Sequence, residues 1–213
     1  MPGPATLLSA PGAPVSQARA VRTRRALVAA AAAEFDSNGY AGTSLSRVCG
    51  AAGVTMGALT FHFPTKGHLA AAVGVEGAAL TREALRGTAA RPSRQLRPLI
   101  ELTVALVRLL EEDTVVRAAA RLGQERAGAG PNGWHAVWLP RVRELLDRTA
   151  EGQGLADDGW DPDGIELLVI YLVAGAEAAI RAGRLDGSAQ EHVHRLWNLL
   201  LSDSAGGRRA APA

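Results

Sequence analysis

The chain has 213 residues, 47% of them hydrophobic and only 4% aromatic, and carries a formal net charge of +2. This is more than one small module needs and enough apolar material for a sizeable core, while no run reaches the ~18 apolar residues of a membrane span. A single cysteine, Cys49, excludes an internal disulfide framework and fits a small buried hydrophobe in a reducing, cytoplasmic setting.

Ala, Leu, Arg and Glu dominate while Ile, Tyr and Phe are rare, so the expected class is all-α. Charge is unevenly spread. Residues 1–70 hold six cations against Glu34 and Asp36, a net of +4, whereas residues 71–213 hold seventeen cations against nineteen acids, a net of −2. A basic front on a slightly acidic body reads either as a nucleic-acid module joined to something else or as ordinary solvated charge.

Residues 1–18 have no basic start and read as a disordered tail rather than a signal peptide. Leu27, Ala31 and Phe35 recur four apart and predict a helix over 19–38, stopped by Asn38-Gly39. Thr43 is expected to cap a second helix, Ser44 to Ala52, with Leu45, Val48 and Cys49 inward and Arg47 outward. After a Gly53-Val54 turn, Thr55 caps a third helix that must end by Phe63, because Pro64 cannot extend it. Thr65 caps a fourth helix running to about Gly87. Arg91-Pro92-Ser93 then breaks the pattern. Longer helices are predicted over 93–111, 114–126, 134–151, 162–183 and 189–203, with 127–133 (AGAGPNG) as the loosest internal loop and 205–213 as a second tail.

The segment 43–63 has the form of a helix-turn-helix: two short helices joined by a Gly-containing turn. In that motif the second helix lies in a DNA major groove. Leu59 and Phe63 anchor it inward, while Thr55, Met56, Gly57 and Thr60 leave a slim outer face. Gly57 costs about 1 kcal/mol of helix propensity relative to Ala, a cost that close approach to bases would explain. Lys66, at the start of helix 4, and Arg22, Arg24, Arg25 and Arg47 are placed to hold phosphates. His62 either donates to a phosphate or braces the turn into helix 4.

Phe35, Gly39-Tyr40, Thr43, Ala52-Gly53-Val54-Thr55, Gly57-Ala58-Leu59, Phe61-His62-Phe63, Lys66 and Leu69 together resemble the TetR family of bacterial repressors. The resemblance implies an N-terminal three-helix DNA-binding domain over 19–82 (motif about 45–64) and a helical ligand-binding and dimerisation domain over 83–204. It also implies a homodimer on a palindromic double-stranded DNA operator, released by a small-molecule effector. The expected DNA-facing set is Arg22, Arg24, Arg25, Thr43, Arg47, Thr55, Met56, Gly57, Thr60, His62 and Lys66. The chain departs from the pattern at Met56 and Thr60, where the family usually has Lys and Tyr facing DNA, and at Gly67 and His68, where it usually has two acids. These departures open an alternative: a small-molecule-binding or scaffold protein with weakened DNA binding.

Val115–Arg126, Trp138–Leu155 and the FHFPTK stretch are similar to the γ-butyrolactone receptors and pseudo-receptors of antibiotic-producing actinomycetes. There a tryptophan matching Trp138 lines the ligand pocket, and the expected role is control of antibiotic biosynthesis. Trp134 and Trp138 lie four apart on one helical face, as core aromatics or as pocket lining. Gln124 is either a surface amide or a polar anchor for a ligand carbonyl or hydroxyl. Residues 165–182 are apolar almost all round. With Val193, Leu196, Trp197 and Leu200 they predict a dimer interface of two helices per subunit.

Enzyme signatures are absent from the sequence. It has no GxSxG, no P-loop and no GxGxxG after a strand. His192 and His194 are two apart on a helix, and Asp157, Asp158, Asp161 and Asp163 lack calcium-loop spacing. No cofactor, metal site or catalytic activity is expected, and no membrane partner.

Overall fold

A computed structural model describes residues 13–86, 96–125, 133–151 and 161–206. Among them are nine helices: α1 Ala13–Gly42, α2 Leu45–Ala52, α3 Met56–His62, α4 Lys66–Arg86, α5 Arg97–Glu112, α6 Thr114–Glu125, α7 His135–Glu151, α8 Pro162–Arg181 and α9 Ala189–Gly206. Arg91-Pro92-Ser93, Asp157 and Asp158, and all but the last residue of 127–133, lie outside the described residues.

Helix α1 starts at Ala13, inside the stretch expected to be a tail. Its regular run ends at Gly39, at φ +69° and ψ 179°, a conformation costly for any residue with a Cβ. A side chain there would also strike the Glu125 carboxylate and Arg121. Thr43 does not cap α2. The N-cap is Ser44, which makes no side-chain capping bond, and the Thr43 hydroxyl donates back to Gly39 O at 2.7 Å. Threonine can satisfy its hydroxyl on the preceding turn, and here that local bond wins. Thr55 does cap α3, accepting from the Ala58 amide at 3.2 Å. The Thr65 hydroxyl accepts from the His68 amide and so caps α4. Further on, Asp113 caps α6 and Asp161 caps α8 with their carboxylates.

Two buried clusters form. Leu27, Ala31, Phe35, Val48, Leu59, Phe63, Leu69 and Val73 build a head from α1 to α4. Leu99, Leu102, Leu106, Trp138, Val142, Val169, Val173 and Trp197 build a body from α5 to α9. Helix α6 belongs to both: Ala118 and Leu122 complete the head, while Val116, Ala119 and Ala120 enter the body. Helix α4 runs unbroken past residue 82, so that Leu85 reaches the body cluster.

Polar bonds close the same seam. Arg117 Nε meets Asp36 Oδ2 at 2.8 Å, and Arg121 Nη1 donates to Asp36 O at 2.6 Å. The Tyr40 amide donates to Glu125 Oε2 at 2.6 Å. Burial pushes the Glu125 carboxyl up, but the Tyr40 amide and Arg121 outweigh it and hold the pKa below the ordinary glutamate value. Arg181 adds its charge to this hold.

Two outcomes follow from the seam. A Cβ at Gly77 would lie 2.5 Å from Ala119 Cβ and 3.1 Å from Val115 O, whereas one at Gly74 meets nothing within 4 Å. Gly77→Ala is expected to lower unfolding stability by about 1–3 kcal/mol through overpacking. Gly74→Ala is expected to raise it by up to about 1 kcal/mol through helix propensity. Urea midpoints read both.

The second outcome concerns pH. A carboxylate with a depressed folded pKa stabilises above its unfolded pKa, and that contribution is lost as pH falls through the folded value. Glu125→Gln is therefore expected to be less stable than the parent at pH 7. The gap in urea midpoint should close as pH drops below 4.5, the ordinary glutamate value.

Candidate nucleic-acid interface and the buried tryptophan pair

The turn between α2 and α3 is closed by the Val54 amide bonding Cys49 O at 3.0 Å. Leu59 and Phe63 bury the inner side of α3 in the head. Outward stand Thr55, Met56, Gly57, Thr60 and Phe61, all exposed. A Cβ on Gly57 would find no atom closer than 3.9 Å, so nothing within the fold itself requires glycine there. The Thr60 hydroxyl lies 3.1 Å from both Met56 O and Gly57 O and is satisfied within its own helix. His62 is half-buried, edge-on to Phe61 at 5.2 Å and tilted against Phe63 at 6.4 Å.

The cations around this face divide into two groups. Arg22 and Arg25 stand exposed on α1. The others have partners within the fold. Arg24 lies 5.2 Å over the Phe63 ring. Arg47 pairs with Glu34 Oε2 at 2.8 Å and donates to Gly42 O at 2.6 Å. Lys66 Nζ donates to Ala41 O at 3.2 Å and sits 4.7 Å over the Tyr40 ring. The expected Lys66–phosphate contact requires it to leave or share these partners. The Thr43 side chain is buried with its hydroxyl turned inward, so it is not part of the exposed set. The sequence reading missed Phe61, which is 81% exposed; its place between two residues that pack inward was the available signal.

In the body, Trp134 and Trp138 are both buried, edge to face with centroids 5.8 Å apart. The Trp134 Nε1 donates to Thr81 Oγ1 at 2.9 Å, and the Thr81 hydroxyl donates to Gly77 O at 2.8 Å. The Trp138 Nε1 is fully buried and has no hydrogen-bond partner, as has that of Trp197. A buried unmet donor costs about 1–3 kcal/mol, so each marks a place for an acceptor. His135 lies 5.2 Å from Trp138, and burial lowers its pKa.

Gln124 is an exposed residue, as the surface reading has it, but its amide is engaged. Its Nε2 donates to Glu177 Oε2, and Glu177 also pairs with Arg181. Burial raises the Glu177 pKa against the opposing pull of Arg181 and Gln124. The sequence reading passed over Glu177 in an apolar helix, although an acid four residues before Arg181 is a legible ion-pair spacing.

Two predicted interface residues are corrected. Val193 and Trp197 are buried in this chain's own body. The exposed residues of α9 include the apolar Leu196 and Leu199 beside His194, Arg195 and Asn198, and those of α8 include Leu167, Tyr171, Gly175 and Ala178. Because α9 turns one face to the body, the residues adjacent on its surface are the ones left exposed. Among the described residues, no group of three His, Cys, Asp or Glu could hold a metal ion. Among them, too, no helix is long and apolar enough to cross a membrane.

Residues 27–73 match the family of bacterial regulatory proteins, tetR family. The A-factor receptor protein of Streptomyces griseus is 30% identical over 192 residues, 89% of this chain and 66% of that protein, just under two thirds. A crystal structure of a γ-butyrolactone receptor (ArpA-like protein) superposes with a TM-score of 0.69 at 27% identity, covering 86% of this chain and 88% of that one. CprB of Streptomyces coelicolor A3(2), a TetR family protein, is 31% identical over 74% of this chain and 80% of its own, with a TM-score of 0.63. CprB in complex with its biological operator sequence gives 0.68 at 29% identity, covering 86% and 89%. The all-helical fold, the helix-turn-helix head and these likenesses agree: this chain belongs to the TetR family, as a DNA-binding regulator of the γ-butyrolactone-receptor type.

Proposed function

We propose that the chain is a homodimeric repressor that holds a palindromic operator and leaves it when a small signalling molecule enters the body. A γ-butyrolactone-like compound or an antibiotic intermediate is the proposed effector, and secondary metabolism the regulated process. The division into a DNA-reading head and an effector body near residue 82 is part of this reading. One observation carries the effector half: the Trp138 indole N–H, fully buried without an acceptor, beside Trp134. A ligand carbonyl, lactone oxygen or hydroxyl would supply that acceptor.

Trp134 bonds Thr81 on α4, and α4 begins at Lys66 beside the recognition helix. A ligand that displaces Trp134 therefore has a rigid path to the head through α4. The seam of α6 with α1 offers a second path. An effector can shift the equilibrium between DNA-bound and released geometries only by its difference in affinity for them. The stripe Leu167, Tyr171, Gly175 and Ala178 on α8, with Leu196 and Leu199 on α9, supports a four-helix dimer contact. Two-fold symmetry would then space the recognition helices about one DNA turn, roughly 34–36 Å, or somewhat more.

The rival reading, a small-molecule-binding protein with weakened DNA contacts, draws support from the internal engagement of Lys66 and Arg47. A salt titration of binding to the chain's own upstream DNA separates the two. The repressor reading expects a specific complex that weakens with salt, and Arg22→Ala and Arg25→Ala each lower the log–log slope by about 0.9. A complex no tighter than that with unrelated DNA at low salt favours the rival.

Trp138→Phe keeps the apolar bulk and removes the donor. It is expected to leave operator binding intact and to weaken release by a responsive member of a γ-butyrolactone panel about five-fold, the worth of one hydrogen bond of about 1 kcal/mol. Unchanged release at every ligand concentration counts against Trp138 as the anchor.

A further inference from the structure

The outer arc of α3 has a chemistry that the general DNA-binding role does not require. At 100° per residue, Met56, Thr60, Gly57 and Phe61 fall in that order across about 140° of the helix surface. The arc therefore runs from a thioether, across two slim positions, to a phenyl ring. Met56 is 42% exposed and Phe61 81% exposed, although both are large and apolar. Neither slim position offers a donor to a base edge. Gly57 has no side chain, and the Thr60 hydroxyl is spent on Met56 O and Gly57 O. The Thr55 hydroxyl already serves the Ala58 amide.

No lysine or arginine lies on α3. Three of the cations around this face are engaged within the fold, Lys66 on Ala41 O and the Tyr40 ring, Arg47 on Glu34 and Arg24 over Phe63, while the exposed Arg22 and Arg25 stand on α1 and not on α3. His62, its one ionisable residue, packs half-buried against Phe61 and Phe63. Guanine is recognised in the major groove through acceptors, N7 and O6, that need a donor such as Arg or Lys. The groove floor carries one apolar group, the C5 methyl of thymine.

We propose that Met56 and Phe61 are specificity-determining residues that read thymine methyl groups in each operator half-site, with Gly57 and Thr60 giving the helix the clearance to reach them. The proposal rests on the reading that α3 enters the major groove. Burying one methyl is worth about 0.8 kcal/mol, so each contacted thymine contributes about four-fold in affinity.

The test begins by selecting sites for the full-length chain from a randomised duplex library. In the enriched duplex each half-site thymine is then replaced, one at a time, by deoxyuridine, which removes only the methyl. The expected result is a loss of about four-fold at one or two thymines per half-site, with the salt slope unchanged. Met56→Ala and Phe61→Ala, both at exposed positions, should each abolish the methyl dependence at one of those thymines. Unfolding midpoints equal to the parent's show that the variants remain folded. Affinity indifferent to every methyl overturns the proposal while leaving DNA reading intact. So does full methyl dependence in both variants. If no sequence is enriched over unselected duplex at low salt, the groove-binding reading falls and the proposal falls with it.

Discussion

The guanidinium of Arg117 ties three helices into one body. Its Nε reaches Asp36 on α1, its Nη1 reaches the Leu110 and Glu111 carbonyls at the end of α5, and its Nη2 reaches Thr114 at the start of α6. The last carbonyls of a helix have no partner within it and carry partial negative charge, so a cation there satisfies both needs. Pairing the same cation with Asp36 makes the end of α5 and the end of α1 share one anchor. It is one of two links between the head and the body, the other being α4, which runs unbroken from Lys66 to Arg86.

Around that anchor the packing leaves little slack. Gly77 lets α4 close on α6, and Gly39 gives the Glu125 and Arg121 side chains room against the end of α1. Glu111, whose carbonyl Arg117 already holds, also accepts through its carboxylate from Ser188 and from the Ala189 and Gln190 amides, which caps α9. Close-packed interfaces of this kind move as blocks between discrete arrangements rather than deforming smoothly. The proposed repressor, whose head would change its spacing on DNA when its body takes a ligand, would be well served by such a joint. The Trp134–Thr81 bond on α4 and the Gln124–Glu177 bond beside Glu125 set two further contacts on the same block.

Much of this was legible in the sequence because the signals were local. Pro64 ends α3, Gly39 ends the regular run of α1, Thr55 and Thr65 cap, and the four-residue recurrence of Leu27, Ala31 and Phe35 gives the buried face of α1. What escaped was set by distant partners. Nothing near Lys66 in sequence announces that its amine will meet the Ala41 carbonyl, 25 residues away. The double allegiance of α6 is invisible for the same reason: two apolar faces on a twelve-residue helix look like ordinary burial until both neighbours are known. Thr43 shows the limit of a purely local rule, since capping and bonding back to the preceding turn compete, and the kinked backbone at Gly39 decides between them. On α9 the period was right but the sidedness was not. Val193 and Trp197 share a face that any apolar neighbour could cover, and the body of the same chain covers it.

The central claim is that Arg117 and α6 make the head and the body one mechanical unit. Native-state amide hydrogen exchange of the parent chain and of Arg117→Ala tests it most directly, because it reads local opening helix by helix. The account predicts faster exchange in α1 and α2 of the head as well as in the last turn of α5. Acceleration confined to α5 and α6, with the head amides unchanged, would contradict it.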